Sequence, residues 1–240
     1  MDVAEARRRA AGEKLPRTIA IDGPSAAGKS SVGYRVAQRL GYPFLDTGAM
    51  YRALTWLALQ RGVDIEDAQA LGDLARQVDV SLGPPLPGSP ERCSIWVDGE
   101  DLTPMLRRPE VEAAVSLVSR APALRRAMVA IQRRLARRGP LVMAGRDIGT
   151  VVLPKAGLKV YLDASMEERV RRRRKEMVAL GRAVSVAEVR RNILHRDSID
   201  SSRKTAPLRP AADAIIIDSD DLSEEQVVER VLALTDAKAC

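Results

Sequence analysis

Near-continuous apolar runs alternate along this chain with stretches in which apolar residues return every three or four positions. The runs at Thr18–Asp22, 43–46, Leu141–Ala144, Leu158–Asp163 and 214–218 have the length and character of strands buried on both faces. The intervening periodic stretches predict helices over Lys29–Leu40, 49–60, 121–137, 166–180, 186–196 and 223–234. In the first of these, Val32, Val36, Ala37 and Leu40 share one face. Ser223 and Gln226 form a capping box that starts the last. Strand and helix in alternation predict an α/β fold of three layers, a central parallel sheet with helices on both sides. Pro154, Pro207 and Pro210 mark loops.

One segment breaks the rhythm. Residues 78–82 and 93–100 alternate apolar and polar around the Pro/Gly-rich stretch 83–90, which predicts short antiparallel strands joined by a hairpin. The expected organisation is a single domain, 17–240. Its core comprises 17–63 and 121–240, and an antiparallel β-containing, substrate-side subdomain is inserted at about 64–120. Residues 1–16 carry Arg7, Arg8, Arg9 and Lys14 without an apolar centre, and are expected to be a disordered basic arm rather than a secretory signal.

Composition narrows the function classes. Aromatic residues make up only 3 % of the 240 positions, so the core must rest on Leu, Val, Ile and Ala. No apolar stretch approaches the roughly 20 residues of a membrane span. Cys93 and Cys240 offer neither a disulfide framework nor metal-ligand spacing, which fits a reducing cytoplasm. A net charge of +7 points either to nucleic acid or to a pocket holding several phosphates. With few aromatics for base stacking, small phosphorylated substrates account for it more simply.

The chemistry starts in the turn after the first strand. Gly23-Pro24-Ser25-Ala26-Ala27-Gly28-Lys29-Ser30 spells G-x-x-x-x-G-K-[ST], followed by Ser31 and a helix. Backbone N–H groups of such a loop ring a phosphate, the lysine reaches the outer phosphates, and the serine hydroxyl suits Mg²⁺. The chain is therefore expected to bind a nucleoside triphosphate. Asp46-Thr47-Gly48-Ala49-Met50-Tyr51-Arg52 and Gly145-Arg146-Asp147-Ile148-Gly149-Thr150 follow the second and third strands, whose carboxyl ends line the ligand crevice of an open parallel sheet. Arg52 and Arg146 suit phosphate oxygens, Tyr51 a pocket wall, and Asp147 a donor group of a ligand; a helix start and a salt-bridged turn are the plain alternatives.

Six of the seven residues from Arg169 to Lys175 are basic, on a predicted helix. Their mutual repulsion is expected to need an anionic ligand, as in a mobile lid (about 166–185) closing over a triphosphate; a charged surface helix is the alternative. Arg196, Asp200 and Arg203 would share a helical face. His195, the only histidine, is given no role. The absence of a Ser–His–Asp set, a nucleophilic cysteine or a His/Cys cluster is compatible with phosphoryl transfer, which works by positioning and charge neutralisation.

Taken together, Ile21-Asp22-Gly23-Pro24-Ser25, the two turns above, Arg196-Asp197 with Asp200 and Arg203, and Ala206-Pro207-Leu208 resemble the bacterial cytidylate kinases, P-loop nucleoside monophosphate kinases. The resemblance runs from about Arg17 to the C-terminus. It implies a nucleotide-monophosphate subdomain at the insert, an Arg-rich lid, and transfer of the γ-phosphoryl of ATP to CMP or dCMP with Mg²⁺ held at Ser30.

Carried over by position, Gly23, Pro24, Ser25, Ala26, Ala27, Gly28, Lys29, Ser30 and Ser31 hold ATP, joined by Arg169, Arg172 and Arg173. Thr47, Tyr51 and Arg52 form the acceptor turn, with Arg52, Arg146 and Arg203 on the acceptor phosphate. Ser116, Arg125 and Asp147 read cytosine, and Arg196 and Asp200 serve the ribose and phosphate. Lys29, Arg146, Arg172 and Arg203 are the residues expected to act on the transferring group. The sequence departs from the family in having Lys29-Ser30-Ser31 in place of Lys-Gly-Thr, and Ala144 where an acidic residue is usual; Asp46 or Asp163 is expected to substitute. A monomer acting on small molecules, without nucleic acid or membrane partners, is the resulting expectation. A kinase for UMP or another small acceptor, and a nucleic-acid-linked P-loop ATPase, are the alternatives.

Overall fold

A computed structural model describes residues 15–203 and 206–237. Five parallel strands form the central sheet in the order β2-β6-β1-β7-β8: β1 (Thr18–Asp22), β2 (Phe44–Asp46), β6 (Leu141–Ala144), β7 (Leu158–Asp163) and β8 (Ile215–Asp218). Ile21 and Asp46 both lie opposite Ala144, so the loops leaving β1, β2 and β6 emerge side by side.

Alternation along β1 explains the layering. Ile19 and Ile21 face a core with Val32, Val36 and Leu40 of α1 (Lys29–Leu40) and Val228 and Val231 of α8 (Glu224–Ala237). Ala20 faces the opposite core, with Met50 and Leu54 of α2 (Thr47–Gln60), Leu71 and Leu74 of α3 (Ala68–Gln77) and Leu124 and Met128 of α5 (Pro122–Ala136). A three-stranded antiparallel sheet, β3 (Val80–Gly83), β4 (Ser94–Val97) and β5 (Glu100–Asp101), contributes Val80, Ile95 and Val97 to that second core. The inserted segment thus shares a core with the parallel sheet.

Several boundaries differ from the sequence reading. Helix α2 begins at Thr47, two residues early, because the Asp46 carboxylate caps it, accepting from the amides of Gly48 (2.8 Å) and Ala49 (3.3 Å). Helices α3 and α4 (Pro109–Val118) were not predicted within the insert; Asp67 caps α3 by accepting from Gln69 and Ala70 N–H. The alternating run at 93–100 is broken at Asp98-Gly99, whose φ values of 52° and 82° make the hairpin turn between β4 and β5. Helix α7 (Val186–Ser201) continues past Arg196, and α6 (Met166–Ala179) precedes it. The Ser223–Gln226 capping box is formed as expected, with both hydrogen bonds present. Of the predicted arm, residues 1–14 lie outside the described residues, whereas Leu15 packs on the α1/α8 core and Pro16 is buried against Gly157.

Helices α3 and α5 approach closely at Gly72, where an added Cβ would stand 2.6 Å from Ala123 Cβ and 3.0 Å from its carbonyl carbon. Gly72→Ala is expected to destabilise the protein by about 1–3 kcal/mol despite the higher helix propensity of alanine, measurable as a lowered Tm.

Candidate active site

The loop from Gly23 to Ser30 is shaped by its contacts on all sides. Gly23 (φ 149°) lies so close to β7 that a Cβ would stand 2.1 Å from the Leu162 carbonyl oxygen. Gly28 (φ 92°) turns the chain into α1, so the free N–H groups at that helix start face the cleft. Behind the loop, Asp197 of α7 accepts from Ser25 N–H (3.0 Å), and Arg169 of α6 pairs with Asp197 while donating to the Ser25 carbonyl (3.2 Å). Arg172 donates to the carbonyls of Ala27 (3.3 Å) and Ser219 (2.6 Å) and pairs with Glu168 (2.7 Å). Lys29 is buried, with Nζ donating to the Pro24 carbonyl at 2.5 Å. Burial and the nearby Arg146 charge push its pKa well below the ordinary lysine value.

A cleft of about 780 Å³ runs from this loop across the ends of β2 and β6 to α4, α5 and α7. Every candidate residue lines it except Gly23, Pro24 and Arg169. Those three shape the loop from outside the cleft lining: Gly23 meets a strand, Pro24 holds Lys29, and Arg169 braces Ser25.

At the acceptor turn, the Thr47 hydroxyl donates to the Ala144 carbonyl (2.9 Å), and Arg52 is held by Glu91 (3.4 Å) and Asp46 (4.0 Å). Ser30 Oγ donates to Asp46 Oδ2 at 2.7 Å. Burial raises the Asp46 pKa, but Arg52 and the Ser30 hydrogen bond outweigh it and keep the carboxyl below its usual range. Of the two carboxylates considered as substitutes opposite Ala144, Asp46 is therefore the one on Ser30; Asp163 instead accepts from Ala164 N–H and lies outside the cleft lining. Among the described residues no group of three His, Cys, Asp or Glu could by itself hold a metal ion.

The far end carries a buried ion pair, Arg125 Nη2 to Asp147 Oδ2 at 2.5 Å, with the Arg125 guanidinium 5.8 Å from the Tyr51 ring centre. Behind it, both Asp22 oxygens accept from the amides of Ile148 (2.8 Å) and Gly149 (2.7 Å), fixing the residues that follow Asp147. Burial raises the Asp22 pKa to about 6 against those hydrogen bonds. Arg203 donates to Ser119 Oγ (3.0 Å), which in turn donates to the Ser116 carbonyl (3.1 Å).

Between the two ends, Asp200 pairs with Arg146 (2.9 Å) and Arg203; Arg203 lies beyond the end of α7, not on its face. Burial raises the Asp200 pKa, but these arginines pull it below the carboxylate range. Arg196 has no ion-pair partner among the described residues. Burial, with repulsion from Arg146, Arg173 and Arg52, pushes its pKa down to about 10. Arg52, Arg146, Arg173 and Arg196 thus line the cleft near enough for the first three to repel the fourth, an arrangement that favours a multiply charged anion.

The expected repulsion along Arg169–Lys175 is largely answered inside the protein. Glu168 pairs with Arg171 and Arg172, Asp197 with Arg169, and Glu112 and Glu176 with Arg173. Sequence reasoning missed Asp22, Glu91, Arg107, Ser119 and Glu168. Only Glu168 had a local signal, at three and four residues from its arginines.

The family model described as cytidylate kinase matches residues 19–237. A cytidylate kinase from Geobacillus kaustophilus is 51% identical over 92% of this chain and 97% of its own length. One from Roseiflexus castenholzii is 47% identical over 91% and 93%. A bifunctional pantoate ligase/cytidylate kinase from Synechococcus is 50% identical over 90% of this chain, which corresponds to 40% of that longer protein. With the phosphate loop, the parallel sheet and a match over nearly the whole described chain, this protein belongs to the cytidylate kinase family.

Proposed function

We propose that the protein transfers the γ-phosphoryl group of ATP to CMP or dCMP, giving ADP and CDP or dCDP. The observation that carries this reading is the buried Arg125–Asp147 pair in the same cleft as the phosphate loop. Cytosine offers an N4 amine donor beside the acceptors N3 and O2. A carboxylate at Asp147 accepts from the amine, while Arg125 and Ser116 donate to the acceptors. Uracil presents O4 where cytosine has the amine, which sets two acceptors against each other.

The loop residues Ser25 to Ser31 receive the ATP phosphates, with Lys29 on the β- and γ-oxygens. Arg52, Arg146 and Arg203, which line the same cleft, bind the acceptor phosphate, and Arg196 serves the ribose and phosphate side. An oxygen of that phosphate attacks, and the bond from the γ-phosphorus to the β–γ bridging oxygen breaks. The attacking oxygen is already anionic, so no general base is needed, which accords with an exposed His195 that takes no part. The hard oxygen donors Ser30 and Asp46 would hold Mg²⁺, which would supply charge neutralisation on the transferring group. The stretch at about 166–185 serves as the lid and the segment at about 64–120 as the monophosphate-binding subdomain.

A coupled ADP-release assay across CMP, dCMP, UMP, AMP and GMP tests the reading. CMP and dCMP are expected to give the highest kcat/KM. Equal turnover of UMP, or ADP release indifferent to every acceptor, would overturn it.

A further inference from the structure

Glu91, in the loop between β3 and β4, is a carboxylate only 3% exposed at the edge of the cleft. It touches two arginines: Arg52 at 3.4 Å, and Arg107, whose Nε donates to its other oxygen. Arg52 has few other holds. Its Nε is buried with no hydrogen-bond partner, and Asp46 stands 4.0 Å away with its oxygens already engaged by Ser30, Gly48 and Ala49. Arg107 extends the chain of contacts to the lid, pairing with Glu176 of α6 at 3.1 Å, and Glu176 holds Arg173 at 2.8 Å.

We propose that Glu91 is a positioning residue for the acceptor phosphate: it aims Arg52 into the cleft, and Arg107 holds Glu91 in place while tying it to the lid. The proposal rests on the CMP kinase reading above and assigns a role to a residue of the insert that acts through Arg52. An arginine with four rotatable side-chain bonds loses much entropy when fixed. A buried carboxylate that fixes it beforehand leaves less of that cost to substrate binding. The effect belongs to acceptor binding, since the ATP loop has its own braces at Arg169 and Arg172.

The test is steady-state kinetics of Glu91→Gln, which keeps the shape and removes the charge. KM for CMP is expected to rise about tenfold, while KM for ATP changes less than about twofold. A purely structural carboxylate would lower Tm and move both KM values together or neither, and that result would overturn the proposal. Should Glu91→Gln fail to fold, Arg107→Lys keeps the charge but loses the Nε donor. It is expected to shift KM for CMP severalfold in the same selective way, and an unchanged KM ratio would equally overturn the role. Parent enzyme inactive on CMP would instead remove the underlying reading, so the two failures are distinct.

Discussion

Replacing Lys29 by alanine is expected to lower kcat on the order of a thousandfold while the protein stays folded. The ammonium is the one lysine at the loop, buried with Nζ on the Pro24 carbonyl and facing the Arg146 charge without a carboxylate ion pair among the described residues. The sign of the stability effect follows. A lysine whose pKa falls on folding opposes folding at every pH below its ordinary value, because the folded state binds the proton less well. Removing it relieves that penalty at neutral pH and costs only a few methylenes of packing. Kinetics and thermal melting of Lys29→Ala should therefore separate sharply: activity nearly gone, Tm close to the parent's. Turnover like that of the parent from a folded variant would remove Lys29 from the donor site.

The second large effect is on base selection. Asp147→Ala removes the proposed acceptor for the cytosine amine and also strands Arg125, 6% exposed, without its 2.5 Å partner. An uncompensated buried charge is costly, so this variant is expected to lose several kcal/mol of stability along with CMP affinity. Asp147→Asn is the cleaner probe, since its oxygen still accepts from Arg125 while its amide turns a donor toward the base. For it, kcat/KM with CMP should fall by 1–3 kcal/mol, about 5- to 150-fold. UMP should fall less or gain, because its O4 now meets a donor. A CMP/UMP ratio equal to the parent's would show that Asp147 does not read the base.

The parts of the molecule that announced themselves are those governed by local rules. Strand β1, the loop and α1 were legible because an apolar run, two glycines and a helical stripe follow one another within 23 residues, from 18 to 40. The parallel strands likewise needed only their apolar runs. The insert was half-legible. Its hairpin residues dominate the local pattern and hid α3 and α4, although Asp67 ahead of Ala68 and Pro109 at a helix start were visible signals.

The site's cations were easy to enumerate and hard to place. That Arg169 braces Ser25 from behind depends on packing between segments far apart in sequence, and that Arg203 meets Asp200 from outside the helix depends on where α7 ends. The partners of these arginines were the least legible. Glu91, 39 residues from Arg52, and Glu112, 61 residues from Arg173, become neighbours of these arginines only when the insert packs against α2 and α6.

Those internal carboxylates change what nucleotide binding is. Arg172 and Arg173 already carry Glu168, Glu112 and Glu176. On the expectation that Arg172 and Arg173 take nucleotide phosphates, a phosphate arriving at either would replace one anion with another, so binding would be an exchange whose free energy is a difference between two pairings. Affinity would be tempered by that difference, and a departing product would leave the displaced carboxylate to take its place. An enzyme that must release a charged product at every cycle gains from arginines that are never left bare.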